Sequence, residues 1–470
     1  MTEILLWAGY FAVFAFLVHK GRSKDAVLSG SVGFGVQAFA YVATYISAVA
    51  LVGFGGLAHA YGLQMLLVAA GNVWFGTWAV YRFLAWPTRK WQERLGARTP
   101  AQLLGLGHGS PSLTRAMAFV FALFLGVYGS AVIKGAALLL AEILPVPVWA
   151  LIWLVAIIVG LTVFIGGLRG VLYTEAMQGV VMLVGMLMLV GAIFSKVGGP
   201  WEGMQALAAL PPSDLANNGF VSLSGGERGL FILSLVVVTS IAVWAQPQMM
   251  QRHFAIADPR QLKKTTPLAM FILTVLVGGA YFAAALSRLI LPEVASPDQV
   301  MPKLVQMLLP EFALHIFVLA IVSASLSTAT GIYHIAVSAL SEDLRGRPSN
   351  RLSWFTGIAI CVLVSGGCAQ IKGQLVALLC TTSWSIVGAM ALVPYVALVR
   401  FGRRNAGAAW ASAACGFFSC LAYGPTSIWG PQLGSVAAGI PPFFIGFLFS
   451  WIGWIAVSAL SESPALEQEA

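Results

Sequence analysis

Runs of about twenty apolar residues, nearly free of charge, recur along this chain of 470 residues, and no other feature restricts its fold as strongly. A bilayer core of about 30 Å is crossed by about 20 residues in a helix. Thirteen segments reach that scale: 4–19, 27–58, 62–86, 116–143, 147–166, 171–198, 229–250, 267–291, 311–341, 352–369, 374–400, 406–424 and 439–460. Hydrocarbon offers backbone amides no partners, so each crossing segment must satisfy its own by forming a helix. The chain is 59% hydrophobic and 9% charged, against roughly 25% charged in soluble domains. An all-α membrane protein of about thirteen transmembrane helices is expected.

The formal net charge of +9 would suit a nucleic-acid partner, but its distribution points to topology instead. With the N-terminus outside, the outer loops hold five cations (Lys196, Arg228, Arg288, Lys303, Lys372), and Lys134 lies within a segment. The remaining 20 of the 26 Lys and Arg fall on the cytoplasmic side, among them Lys20, Arg89, Lys90, Arg252, Lys263, Arg403 and Arg404. The expected localisation is therefore the cell (inner) membrane, multi-pass, with the C-terminus cytoplasmic. The first segment is preceded by Glu3 and followed by its positive charges, so it reads as a retained helix and not a secretory signal. Cys361, Cys368, Cys380, Cys415 and Cys420 show no metal or redox spacing and are expected to be packing residues. No appended domain is visible, and the reading needs no nucleic acid and no obligate protein partner.

Two segments are interrupted. The first, 27–58, contains Gly30, Gly33, Gly35, Gly53, Gly55 and Gly56; the second, 229–250, ends in Trp244-Ala245-Gln246-Pro247. Glycine weakens a helix by about 1 kcal/mol relative to alanine, and proline removes a backbone donor. Broken helices in matching positions are a pointer to transporters built from inverted repeats, whose unwound backbone coordinates ions near the bilayer midplane. Five segments occupy 27–198 and five occupy 229–400, and an odd number per unit inverts the second copy. The expected units are thus 1–26, an extra N-terminal helix; 27–198, the first repeat; 199–228, an extracellular loop; 229–400, the second repeat; and 401–470, two further helices and a tail. Kinks made only for packing are the alternative.

Four stretches in order carry a resemblance: GGLRGVLYTEAMQGVVMLVG (166–185), AQPQMMQRHFAIADPRQLKK (245–264), ASLSTATGIY (324–333) and GRRNAGAAWASAACG (402–416). They resemble the sodium:solute symporters, with a flavour of the pantothenate and monocarboxylate branch in Thr44-Tyr45-Ile46-Ser47-Ala48 and Ala60-Tyr61-Gly62-Leu63. The resemblance implies the LeuT-type fold, a 5+5 inverted repeat with one extra helix before it and two after. It also implies a sodium-coupled symporter, not an enzyme.

Sodium is a hard cation and prefers oxygen ligands, which a membrane supplies most readily as freed carbonyls and hydroxyls. Ser323, Ser325, Ser327, Thr328 and Thr330 crowd into eight residues at about the depth of Ala43 to Ile46. By the resemblance, the ion is held by the carbonyls of Ala43, Ile46 and Ala324 and the hydroxyls of Ser327 and Thr328. The alternative is that these hydroxyls bond back to their own helix. Glu175 stands where most relatives have Asp. It is expected either to attract sodium as an auxiliary ligand or to be an interfacial acid.

Lys134, read as a cation within the membrane, is the first substrate candidate, with a carboxylate as its expected partner; pairing with Glu142 is the alternative. Thr44, Tyr45, Ser47, Trp244 and Gln246 are the other expected substrate-binding residues. Proline-carrying relatives have Asp where this chain has Tyr45, which favours a small organic anion over an amino acid. The six His (His19, His59, His108, His253, His315, His334) form no metal pattern, and His334 reads as a core residue more than a proton-linked one. A proton-coupled carrier of the same fold and a transporter-like sensor remain as rivals.

Overall fold

The computed structural model describes residues 2–21, 32–141, 144–224, 226, 229–371, 376–423 and 442–460. Among them the chain is helical and holds no strand, apart from two isolated bridges, one joining Val32 to Ile256. The principal helices are α1 (Thr2–Lys20), α2 (Phe34–Tyr45), α3 (Phe54–Tyr61), α4 (Pro111–Leu140), α5 (Val148–Val197), α6 (Gly229–Ser240), α7 (Pro247–His253), α8 (Glu311–Ser338), α9 (Arg351–Ala369), α10 (Val376–Phe401), α11 (Ala406–Tyr423) and α12 (Pro442–Leu460).

Ten helices among the described residues are long and apolar enough to cross a bilayer, and α6 with α7, bent by 53° where they meet, makes an eleventh. Counting by helix length returns fewer elements than counting apolar segments. The 50 residues of α5 would extend about 75 Å if straight, more than twice a bilayer core. Gly167, at φ 55° and ψ −165°, kinks α5 between the expected segments 147–166 and 171–198. Only glycine adopts that backbone without strain. The run Val49–Phe83 contains a similar interruption at Gly62, φ 73° and ψ −152°.

Both expected helix breaks are present. After α2, Ile46 takes an extended backbone (φ −100°, ψ 124°), and the chain resumes as a π-turn over Val49–Gly53 before α3. After α6, a 3-10 turn over Ala242–Ala245 leads to extended Gln246 (φ −67°, ψ 122°), and Pro247 starts α7. The second break follows from proline itself, which excludes the preceding residue from helical backbone and lacks the donor to continue the ladder.

Central and peripheral helices differ sharply in exposure. The most apolar window of the α10 span is 89% buried and that of the α8 span 78%, whereas those of α1 and α12 are 17% and 28% buried and turn their surface to lipid. Helix α1 is nevertheless anchored: the Tyr10 hydroxyl accepts from Ser323 (2.9 Å) and Gln178 (3.4 Å), and the Trp7 indole donates to His315 Nδ1 (3.2 Å). The cysteines among the described residues are all free.

Candidate functional site

The break after α2 leaves carbonyls without helical donors, and α8 presents hydroxyls to them. Ser327 Oγ lies 2.8 Å from the Ala43 carbonyl and 2.9 Å from that of Ala324. Thr328 Oγ1 lies 3.2 Å from Ala43 O, 3.3 Å from Thr44 O and 3.1 Å from Ile46 O. The structure thus brings together all five residues expected around sodium, and every one is buried. The donor set is neutral oxygen throughout, which fits a hard monovalent cation better than a transition metal. Each hydroxyl has one proton, which one of the carbonyls within reach accepts, and it keeps lone pairs free for an ion.

A buried ion pair stands directly behind this cluster. Arg252, on α7, donates from Nε to Thr44 Oγ1 (2.9 Å) and from Nη2 to Glu175 Oε1, and both charged side chains are 0% exposed. Glu175 is therefore no interfacial acid. Its charge is compensated by Arg252, and the two bridge α5, α7 and α2. Sequence reasoning missed Arg252 by counting it with the loop after the seventh segment. The available signal was Pro247, five residues upstream: a helix restarted by Pro247 extends inward, and all seven residues of α7 are buried. Gln37 Nε2 holds the α7 end by donating to the Arg252 carbonyl (2.9 Å), and Arg89 bonds the Phe254 carbonyl.

Beside the break lies a central cavity of about 20 Å3, lined among others by Tyr45, Ser47, Asn72, Tyr128, Thr239 and Trp384. That is room for about one water molecule. Of the expected substrate residues, Tyr45 and Ser47 line it. Asn72, Tyr128, Thr239 and Trp384 went unnoticed, although Asn72, a polar residue inside an apolar run, carried a readable signal. Its Oδ1 accepts from Thr239 Oγ1 (2.8 Å), Ser240 Oγ (3.1 Å) and the Tyr45 hydroxyl (3.3 Å), tying the two broken segments together.

The other four expected substrate residues do not line this cavity. The Thr44 hydroxyl turns back to Ala40 O (2.8 Å) and accepts from Arg252. Gln246 is buried against the α10 backbone, donating to Trp384 O (3.1 Å). Trp244 donates to Phe75 O (2.9 Å) and lines a different cavity, of about 600 Å3, with Leu392, Phe447 and Trp454. Lys134 does not line the central cavity either. Its Nζ donates to Ile371 O (3.1 Å), beyond the far end of α9. Its charge acts on Asp298, whose carboxylate accepts from Val376 N at the start of α10 (3.2 Å). Burial pushes the Asp298 carboxyl above its ordinary value, and the Val376 amide and Lys134 offset part of that rise. Glu142, the alternative partner of Lys134, lies outside the described residues. His334 is a core residue, its Nδ1 3.2 Å from Gln251 Oε1 and its ring against Trp354.

The family model described as the sodium:solute symporter family matches residues 27–415. The sodium/pantothenate symporter of Haemophilus influenzae is 27% identical over 347 residues, covering 70% of this chain and 69% of that protein. The sodium/pantothenate symporter of Escherichia coli is 28% identical over 324 residues, covering 67% and 65%. The high-affinity proline transporter PutP of Bacillus subtilis is 25% identical over 356 residues, covering 72% and 71%. Among solved structures, the outward-open, substrate-bound state of a Na+-coupled sialic acid symporter superposes with a TM-score of 0.77 at 15% identity, over 98% of each chain. At that identity the likeness is one of fold, the LeuT type.

Proposed function

The chain belongs to the sodium:solute symporter family, and from that premise we propose that it imports a small organic acid by sodium-coupled alternating access, with sodium held by Ala43, Ile46, Ala324, Ser327 and Thr328. The observation that carries this reading is the meeting of two α8 hydroxyls with the carbonyls freed at the α2 break. Residues 27–198 and 229–400 are the two inverted repeats, and the skew of Lys and Arg supports an outer N-terminus and a cytoplasmic C-terminus in the cell's inner membrane.

The substrate occupies the cavity between Tyr45, Ser47, Asn72, Tyr128, Thr239 and Trp384 once it widens. A carboxylate suits this place without Lys134, because Ser47, Asn72 and Tyr128 line the cavity with groups able to donate hydrogen bonds to it. Ser47 Oγ caps Val49 N at 3.2 Å. Pantothenate and proline, the solutes named for the relatives, both carry a carboxylate. Arg252 and Glu175 form the inner closure, and Glu175 attracts sodium only when that pair opens.

Uptake into proteoliposomes tests the coupling, with the solute first chosen by a thermal-shift screen of organic anions with and without sodium. Uptake should require sodium and fail when choline replaces it. Uptake that persists in choline and follows a proton gradient would sink the sodium reading.

A further inference from the structure

Three cations from three different spans converge on one surface pocket. Arg82 lies at the end of the span Val49–Phe83, Lys263 near the start of Pro259–Leu289, and Arg400 at the end of Cys380–Phe401. They line a pocket of about 640 Å3 together with Trp78, Tyr81 and Trp86, and among the described residues no carboxylate lines it. Some neighbouring cations are partnered: Arg89 with Glu93, Arg98 with Glu342, and Arg404 with the Gly107 carbonyl. Arg82, Lys263 and Arg400 are all exposed, and none joins an ion pair among the described residues.

Each of the three sits within a turn or so of a span end, which puts the pocket at the depth of lipid headgroups. Its rim is apolar and faces outward, with Trp78 40% and Phe83 38% exposed. A ligand matching both features carries negative charge and hydrocarbon in one molecule. We propose that this pocket binds the phosphate headgroup of an anionic phospholipid, with Arg82, Lys263 and Arg400 around the phosphate and an acyl chain along Trp78 and Phe83. Basic pockets between helices at the membrane edge bind such headgroups, and each Lys or Arg near an anionic surface strengthens binding about fivefold. Three together should give a preference on the order of a hundredfold over a zwitterionic lipid.

Native mass spectrometry of the full chain in detergent, titrated with dioleoylphosphatidylglycerol and dioleoylphosphatidylcholine, tests this. The wild type should retain phosphatidylglycerol at least tenfold better. Arg82→Gln/Lys263→Gln/Arg400→Gln should reduce that preference to near unity, and each single variant, on an exposed side chain, should weaken it severalfold. Lys196→Gln/Lys303→Gln, with two cations outside the pocket, should change nothing. Equal retention of both lipids by the wild type, or an unchanged preference in the triple variant and all the singles, overturns the proposal. Displacement of the lipid by equimolar glycerol 3-phosphate or inorganic phosphate also overturns it, because the pocket would then serve a soluble anion.

Discussion

Ser327 reaches carbonyls of both α8 and the α2 break, and Thr328 reaches three at the α2 break. Under the proposed sodium site, removing either hydroxyl therefore deletes one ion ligand and leaves the cavity beside it nearly unchanged. A hydrogen bond to a charged group is worth about 1.5 to 3 kcal/mol. Ser327→Ala and Thr328→Ala should therefore raise the sodium concentration for half-maximal uptake about tenfold or more, with smaller effects on the maximal rate. Unchanged sodium activation in both would remove the basis for this site. Arg252 and Glu175 pose a different test, because a buried charge left alone typically costs about 3 to 5 kcal/mol. Arg252→Met should lower the melting temperature of the purified protein substantially, and Arg252→Met/Glu175→Gln should recover part of the loss; a double variant as unstable as the single one would contradict the pairing. The hydroxyls were legible in the sequence because five of them crowd one helix at a computable depth. That Thr44, Lys134, Trp244 and Gln246 would lie off the central cavity was not legible, because depth along a helix is readable from sequence and direction around it is not. Arg252 was hidden by a boundary error of a few residues at Pro247.

Pro247 announced the second helix break. The first falls at Ile46 to Ala48, between the glycines that flagged its segment, so the sequence pointed to the broken segment but not to the position of the break. What also remained hidden was how the segments close on one another. A Cβ at Gly53 would lie 2.9 Å from Ala377 N and 3.1 Å from its Cβ, and one at Gly56 would lie 2.2 Å from the Pro297 carbonyl oxygen. Both mark where the π-turn and α3 seat against the start of α10 and the segment carrying Asp298. Gly53→Ala should hold these elements apart, cutting uptake at least fivefold while sodium still stabilises the purified protein thermally. Loss of the sodium-induced thermal shift would mean that the ion site depends on this contact. At the opposite end, His108 joins the helix Pro100–Gly107 to α10, accepting from Asn405 N at Nδ1 (3.3 Å) and bonding Pro394 O through Nε2 (3.0 Å). Burial lowers its pKa to about 4, with the charge of Arg404 acting in the same direction and the Pro394 bond opposing. The unfolded chain takes up this proton near pH 6.5 and the folded one does not, so stability falls as pH drops from about 6.5 towards 4. His108→Gln should shrink the difference in melting temperature between pH 7 and pH 5; an undiminished difference would assign it to other groups.

For the molecule as a whole, the driving forces add as free energies. A tenfold sodium gradient supplies about 1.4 kcal/mol, and one charge moving through 100 mV about 2.3 kcal/mol. A neutral solute carried with one sodium would accumulate several hundredfold under both. A univalent anion carried with one sodium feels only the chemical gradient, about tenfold. Clamping the potential in proteoliposomes across a fixed sodium gradient should therefore leave accumulation of the organic acid unchanged at one sodium per solute. A steep voltage dependence would require more than one sodium per turnover. The architecture that achieves this was legible as a class from apolar segments and their charge asymmetry, whereas the meeting of distant segments, such as Thr44 with Arg252 or Asn72 with Thr239, is tertiary and leaves no local pattern. The central cavity, about 20 Å3 and enclosed by buried side chains, has one more consequence. Side chains packed this closely leave no room at the cavity for a column of water. Under the proposed coupling, such packing hinders ions from crossing the centre of the protein unaccompanied, so the sodium gradient is drawn down chiefly by transport itself.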